Sequence, residues 1–256
     1  MTMNGGLRVS PPPPLLLLLL LQIATSAHAL STAATSGTLL SCERAVAGLG
    51  LATDASERVM GYVSELLAYN EKTNVYSQSA YDKLPFHVAD SVTLAMRAGE
   101  LAERGVLDLG SGSGLPSVLI ACVNPELPVY AVESKSRKTR FLSHVARKLE
   151  LGAYTALTQD VNQLSRAWAF DVDVVTAKAF KPLNEVRPIA RRAILGDAAR
   201  LMVPISEAQV REFELAEEEL LRVEGGFIYF SEPITPSHGA AQRKIVTPEA
   251  ARASRL

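Results

Sequence analysis

The residues best suited to chemistry stand in one run, Val106-Leu-Asp108-Leu-Gly110-Ser111-Gly112-Ser-Gly114-Leu115. Three glycines at alternate positions, directly after a short apolar stretch, let the backbone turn tightly and approach a bound molecule closely. A turn of this kind between a strand and a helix lies at the carboxyl end of a sheet, where open α/β sheets hold ligands. Nineteen residues beyond Gly114 a second apolar stretch ends in Glu133. A carboxylate there can accept both hydroxyls of a ribose. The spacing is G-x-G-x-G followed by Leu115 and Pro116, not the G-x-G-x-x-G that seats a pyrophosphate on helix N–H groups, and Pro116 removes one such donor. With Asp108 ahead of the loop, the pattern suits a nucleoside ligand without phosphates that carries a cationic sulfonium, S-adenosylmethionine. A bare glycine turn is the plain alternative, and the strand, the helix and the distant acid argue against it.

Those residues need a frame. Ser56 caps a helix running to about Asn70, with Val59, Tyr62, Val63, Leu66 and Leu67 on its apolar side. Glu71–Ser79 is a polar loop, and Leu84–Leu101 a second helix. Buried strands follow at Gly105–Leu109 and Pro128–Glu133, with helices at Leu115–Cys122 and Ser136–Leu151. Tyr154–Thr158, Phe170–Ala177 and Ala199–Pro204 are three more strands, and Pro182–Ile194 and Ser206–Val223 fill the helical gaps. Phe227–Ser231 and Lys244–Thr247 are expected to close the sheet as an antiparallel pair. Alternation in this order predicts an α/β fold: a doubly wound, mostly parallel sheet, Rossmann-like, behind a helical N-terminal extension.

Composition bounds the partners. The 256 residues carry 26 basic against 27 acidic side chains, a net of −1, so contact with a nucleic acid has to come from a local basic patch. A hydrophobic content of 48% supports a packed core and excludes global disorder. Two cysteines, Cys42 and Cys122, and four histidines at 28, 87, 144 and 238 provide neither a disulfide framework nor metal-ligand spacing, so no metal is expected. Cys122 is expected in the core, and His144 and His238 at the surface. Residues 1–29 hold Arg8, the run Leu15–Leu21 and an Ala27-His28-Ala29 end, the pattern of a signal peptide too short to span a bilayer. Residues 30–47, rich in Ser, Thr and Ala, look like a transit peptide. Signal plus transit is a two-part address for a plastid reached through the secretory route, with simple secretion or a mitochondrion as alternatives. The expected division is a targeting segment over 1–47, the helical extension over 48–101 and the ligand-binding domain over 102–256.

The Asp108-x-Gly-x-Gly-x-Gly run resembles the first motif of class I methyltransferases, and its flanks narrow the likeness. Asn70, Asn74, Val75 and His87-Val-Ala-Asp90-Ser91 precede the loop. Gly114-Leu-Pro116, Glu133-Ser134-x-x-Arg137-Lys138-x-Arg140-Phe141-Leu142, Phe170-Asp171 and Lys178-Ala179-Phe180-x-Pro182-Leu183 follow it. From Ser56 to Leu195 this series resembles the bacterial 16S rRNA guanine-N7 methyltransferases, the glucose-inhibited division protein B family. The resemblance implies an S-adenosylmethionine site formed by Asp108, Gly110, Ser111, Gly112, Gly114 and Leu115, with Glu133 on the ribose and Val161 and Asn162 beside the adenine. Lys178 stands where the family has Arg, keeping the charge and losing the planar fork. A Lys-Gly usual in the family near the fifth strand is replaced here by Gly196-Asp-Ala-Ala-Arg.

The implied partner is small-subunit rRNA of an organelle ribosome, bound by a monomer that leaves the membrane after processing. Between Ser134 and Lys148 six basic residues occur with no acid, and Lys135, Arg137, Lys138 and Arg140 are candidates for rRNA phosphates. His87, Asp90 and Ser91 either orient the guanine or pair to fix the extension. Glu207–Glu219, with six Glu and one Arg, is expected as a solvated helix facing away from RNA. Guanine N7 attacks through a lone pair, so no general base is assigned and the rate comes from positioning. A small-molecule methyltransferase would turn over without RNA, and a non-catalytic ribosome-assembly protein would not bind the donor. A nicotinamide oxidoreductase would bind a different cofactor.

Overall fold

Short, wholly apolar runs bounded by glycine or a turn are stable only inside a parallel sheet covered on both faces. Val106–Leu109 (β1) and Val129–Glu133 (β2) are buried along their whole length. The structure, a computed structural model, describes residues 35–163, 168–195, 199–237, 243–247 and 250. The further strands are Tyr154–Thr158 (β3), Trp168–Ala169 (β4), Val174–Thr176 (β5), Ala199–Ile205 (β6), Leu220–Arg222 (β7), Ile228–Ile234 (β8) and Lys244–Ile245 (β9). The main sheet has the order β3-β2-β1-β5-β6-β8-β7. From β3 to β6 the strands are parallel, and β8 runs antiparallel to both of its neighbours. The winding reverses between β1 and β5, where Asp108 is paired with Thr176. Open sheets bind ligands at such a switch point.

The helices are α1 over residues 35–47, then Thr53–Asn70 (α2), Leu84–Leu101 (α3), Ser117–Val123 (α4), Ser136–Lys148 (α5), Leu183–Ala193 (α6) and Glu207–Glu212 (α7). Because strand side chains alternate between faces, Val106, Val129 and Ala131 join the core under α2 to α5. Leu107, Leu109 and Val132 join the opposite core under α6. The five apolar positions expected on α2 are all buried. Hydrogen bonds join the extension to the sheet layer at several points. Tyr62 Oη donates to the Ser113 carbonyl (2.9 Å), Arg58 Nε to the Cys122 carbonyl (2.8 Å), and Tyr229 Oη to the Asp90 carbonyl (3.0 Å).

Several expectations are corrected. The segment assigned to targeting over 30–47 is helical from residue 35, and Cys42 and Val46 are buried in the core shared with α2 and α3. Its small residues suit close helix packing as well as they suit a transit peptide. The folded unit therefore starts before residue 48. The helix expected over Ser206–Val223 stops after Glu212, since Glu214 takes a left-handed φ of 50°. The chain continues through a 3-10 turn, Glu217–Glu219, into β7, an edge strand that the run of acids conceals in the sequence. Arg222 pairs there with Glu207 (2.5 Å) and Glu217 (3.1 Å), two of the six acids of that run. Residues 244–245 pair with β4 outside the main sheet, Lys244 Nζ lying 5.5 Å from the Trp168 ring centroid. Within 170–177 only 174–176 are strand, because Asp171 and Asp173 turn to Arg104. His144 is only partly exposed and bonds Glu65 through Nε2 at 2.8 Å. Residues 1–34, Gly196 to Ala198 and His238 lie outside the described residues.

Candidate active site

The glycine loop has the backbone its spacing requires. Gly110, Gly112 and Gly114 take φ of 72°, 59° and 98°, in the region that favours glycine. The N–H groups of Gly110 and Ser111 donate to the Val132 carbonyl at 2.9 and 3.1 Å, tying the loop to the end of β2. A Cβ on Gly110 would overlap the Phe180 ring, and one on Gly114 would lie 2.5 Å from Val118 Cγ2. Gly112 is open, with nothing nearer such a Cβ than the Gly110 carbonyl at 3.7 Å. Leu115 is buried beneath the loop.

Glu133 ends β2 at the mouth of this loop, 7% exposed. Its Oε2 accepts from the Gly112 N–H (3.0 Å) and its Oε1 from the Lys135 N–H (2.7 Å), so the carboxylate is oriented before any ligand arrives. It borders a cavity of about 340 Å³ that also meets Gly110, Val132, Val161 and Asn162. Asp160, Phe180 and Lys181 also line it. Asp160 Oδ1 accepts from the Asn162 N–H (2.8 Å), and Arg192 donates to Asn162 Oδ1 (3.1 Å), fixing that side.

Asp108 is fully buried, and among the described residues neither carboxylate oxygen has a hydrogen-bond partner. Ser111 and Ser117 approach it, but the Ser111 hydroxyl donates to the Asp108 carbonyl (3.1 Å) and the Ser117 hydroxyl pairs with Tyr154 Oη (3.1 Å). Burial pushes the Asp108 carboxyl up to about 6, against the pull of the serines and of Lys178. Lys178, just past β5, places Nζ 2.6 Å from Asp90 Oδ2. It also donates to Ser91 Oγ (3.0 Å) and to the His87 carbonyl (3.2 Å). All three donor positions of this ammonium thus face α3, and burial lowers its pKa. His87 is half-buried, its Nδ1 has no partner, and burial together with Lys178 lowers its pKa.

The structure therefore gathers Gly110, Glu133, Val161 and Asn162 around one cavity, with Gly112 tied to it through Glu133, whereas Asp108, Ser111, Gly114 and Leu115 do not line it. His87, Asp90, Ser91 and Lys178 form a second cluster where α3 meets β5, in which Asp90 bonds Lys178, not His87. Of the basic residues, Lys135, Arg137 and Arg140 are exposed on α5, whereas Lys138 borders the cavity. Phe180, Lys181 and Asp160 are wall residues that the sequence reading passes over as ligand contacts. Their one signal is position, directly after strands of a parallel sheet. The set fits S-adenosylmethionine: an oriented carboxylate for a ribose, apolar and aromatic walls for a flat base, and an unpartnered buried anion beneath the loop.

A family described as rRNA small subunit methyltransferase G matches residues 55–226 of this chain. The chain belongs to that family. Ribosomal RNA small subunit methyltransferase G of Syntrophotalea carbinolica is 33% identical over 172 residues, 64% of this chain and 77% of that protein. The family member so named from Geobacter sp. is 26% identical over 210 residues, 80% of this chain and 94% of its own. Among solved structures, a SAM-dependent O-methyltransferase from Thermotoga maritima aligns with a TM-score of 0.43 at 19% identity, covering 58% of this chain and 66% of the other.

Proposed function

We propose that this protein transfers the methyl group of S-adenosylmethionine to N7 of a guanine in the small-subunit rRNA of an organelle ribosome. The observation that carries the reading is the oriented Glu133 carboxylate beside a positive-φ glycine loop, in a chain of the methyltransferase G family. Bound there, S-adenosylmethionine supplies an electrophilic methyl carbon on a sulfonium. Glu133 holds the ribose, while Val161, Asn162 and the Phe180 ring enclose the adenine. Lys178 acts through α3, locking His87 and Asp90 in place.

Guanine N7 needs no deprotonation, so these residues work by alignment and by excluding water. His87, whose pKa is lowered by burial and by Lys178, helps to orient the guanine from α3, with its Nδ1 turned into the interior. The exposed cations at the start of α5 take rRNA phosphates.

Residues 1–34 act as a presequence that directs the chain to a plastid, a reading supported by the signal-like run of 1–29. A fluorescent fusion of residues 1–60 that entered the medium instead would overturn the destination.

The decisive assay incubates the purified protein with radiolabelled S-adenosylmethionine and unmodified bacterial-type small ribosomal subunits. Borohydride and aniline then cleave the rRNA at N7-methylguanine. One new cleavage is expected. Donor binding without any transfer to rRNA would overturn the substrate and leave a small-molecule enzyme or an assembly protein.

A further inference from the structure

A groove of about 550 Å³ lies between α5 and β3, the edge strand of the main sheet. No carboxylate lines it among the described residues. Arg140, Ser143, His144 and Arg147 recur at helical spacing and present one face of α5 to it. The two arginines stand two turns apart, about 10 Å along the helix axis. Among the described residues neither has an ion-pair partner, whereas Arg97, Arg104 and Arg222 do. His144 is held by Glu65 and packs 5.5 Å from the Tyr69 ring, so the floor between the arginines is set. Gln159 borders both this groove and the cavity beside Glu133, which makes the two concavities neighbours.

Two unmatched guanidiniums in a concavity repel one another unless an anion with more than one charge lies between them, and a phosphodiester chain meets that need. A solvated helix face would be convex and carry mixed charge. We infer that this groove is a docking site for the backbone of the RNA strand flanking the target nucleotide, with Arg140 and Arg147 each on a phosphate. The strand then passes Gln159 to bring its base to the donor cavity. This rests on the rRNA reading above and adds the path of the substrate and a new contact, Arg147.

The test uses the full chain, a labelled oligoribonucleotide spanning the methylated site, and intact small subunits. The double variant R140Q R147Q removes two charges. R211E, on the exposed face of α7, changes net charge by the same amount and serves as control. For the double variant, the slope of log K against log salt should fall by about 1.4, from about 0.7 per phosphate on a single strand. RNA affinity at low salt should drop about tenfold with donor affinity unchanged, and R211E should match the wild type. An unchanged slope, or one shifted equally by R211E, would overturn the groove while wild-type methylation still upheld the function. If the double variant also lost donor binding, R147Q alone would decide, since Arg147 lies outside the donor cavity, and an unaltered slope would sink the proposal. A wild type that bound donor but neither bound nor methylated rRNA would overturn the function and the groove together.

Discussion

Lys178 Nζ stands 2.6 Å from Asp90 Oδ2, with side-chain exposures of 13% and 7%, at the seam between α3 and the end of β5. Removing one member leaves the other charge buried without compensation. Asp90→Ala is therefore expected to cost about 3–5 kcal/mol. Asp90→Leu combined with Lys178→Met, which removes both charges, should cost less. Urea unfolding of the three proteins checks this, and a single variant within about 1 kcal/mol of wild type would contradict it.

Gly110 and Gly112 should respond unequally to alanine. Both have positive φ, which costs about 1–2 kcal/mol for a residue with a Cβ. At Gly110 the new methyl also overlaps Phe180, adding about 1–3 kcal/mol. G110A should therefore lose more stability and more donor affinity than G112A, as thermal melts and calorimetric titration with S-adenosylmethionine would show. Equal losses would mean that the Phe180 ring yields freely.

Glu133→Gln keeps the shape of the side chain and removes its charge. Hydrogen bonds to a charged group contribute about 1.5–3 kcal/mol, so affinity for S-adenosylmethionine should fall roughly ten- to hundredfold. Far-ultraviolet circular dichroism should remain that of the wild type. Unaltered affinity would remove Glu133 from the ribose site.

Asp108 links stability to pH. Its folded pKa, about 6, lies above the ordinary 3.8, so the folded state holds the proton more tightly than the unfolded chain. The stabilisation is complete below about pH 4 and is lost as pH rises through about 6, a change of about 3 kcal/mol at 1.36 kcal/mol per pH unit. Asp108→Asn should abolish that dependence. Urea midpoints between pH 4 and 7 would test it, and parallel curves for the two proteins would show that Asp108 is not the group responsible.

The site was more legible than its surroundings. Asp108, the three glycines and Glu133 stand out as candidates because a strand–turn–helix unit at a switch point constrains residue type and spacing. The α2 stripe can be read because its burial follows a single period. The partner of Asp90 could not, since Lys178 is 88 positions away and the choice between it and His87 is made by packing alone. β7 escaped because Leu220 and Leu221 follow an acidic run that favours a helix locally, and only pairing with β8 overrides that preference. In sequence Arg147 is one more cation at a helix end, and only the packing of β3 beside α5 gives it a concave setting.

The burial of Cys42 and Val46 in α1 bears on the proposed presequence. A peptidase that trims the N-terminus has to stop upstream of α1, because a cut beyond it strips two core side chains and uncovers apolar surface, an aggregation hazard. If residues 1–34 are removed as proposed, the mature end need not be specified by their own sequence. A folded core that shields everything from α1 onward sets the same limit, so folding itself can act as the ruler for the protease.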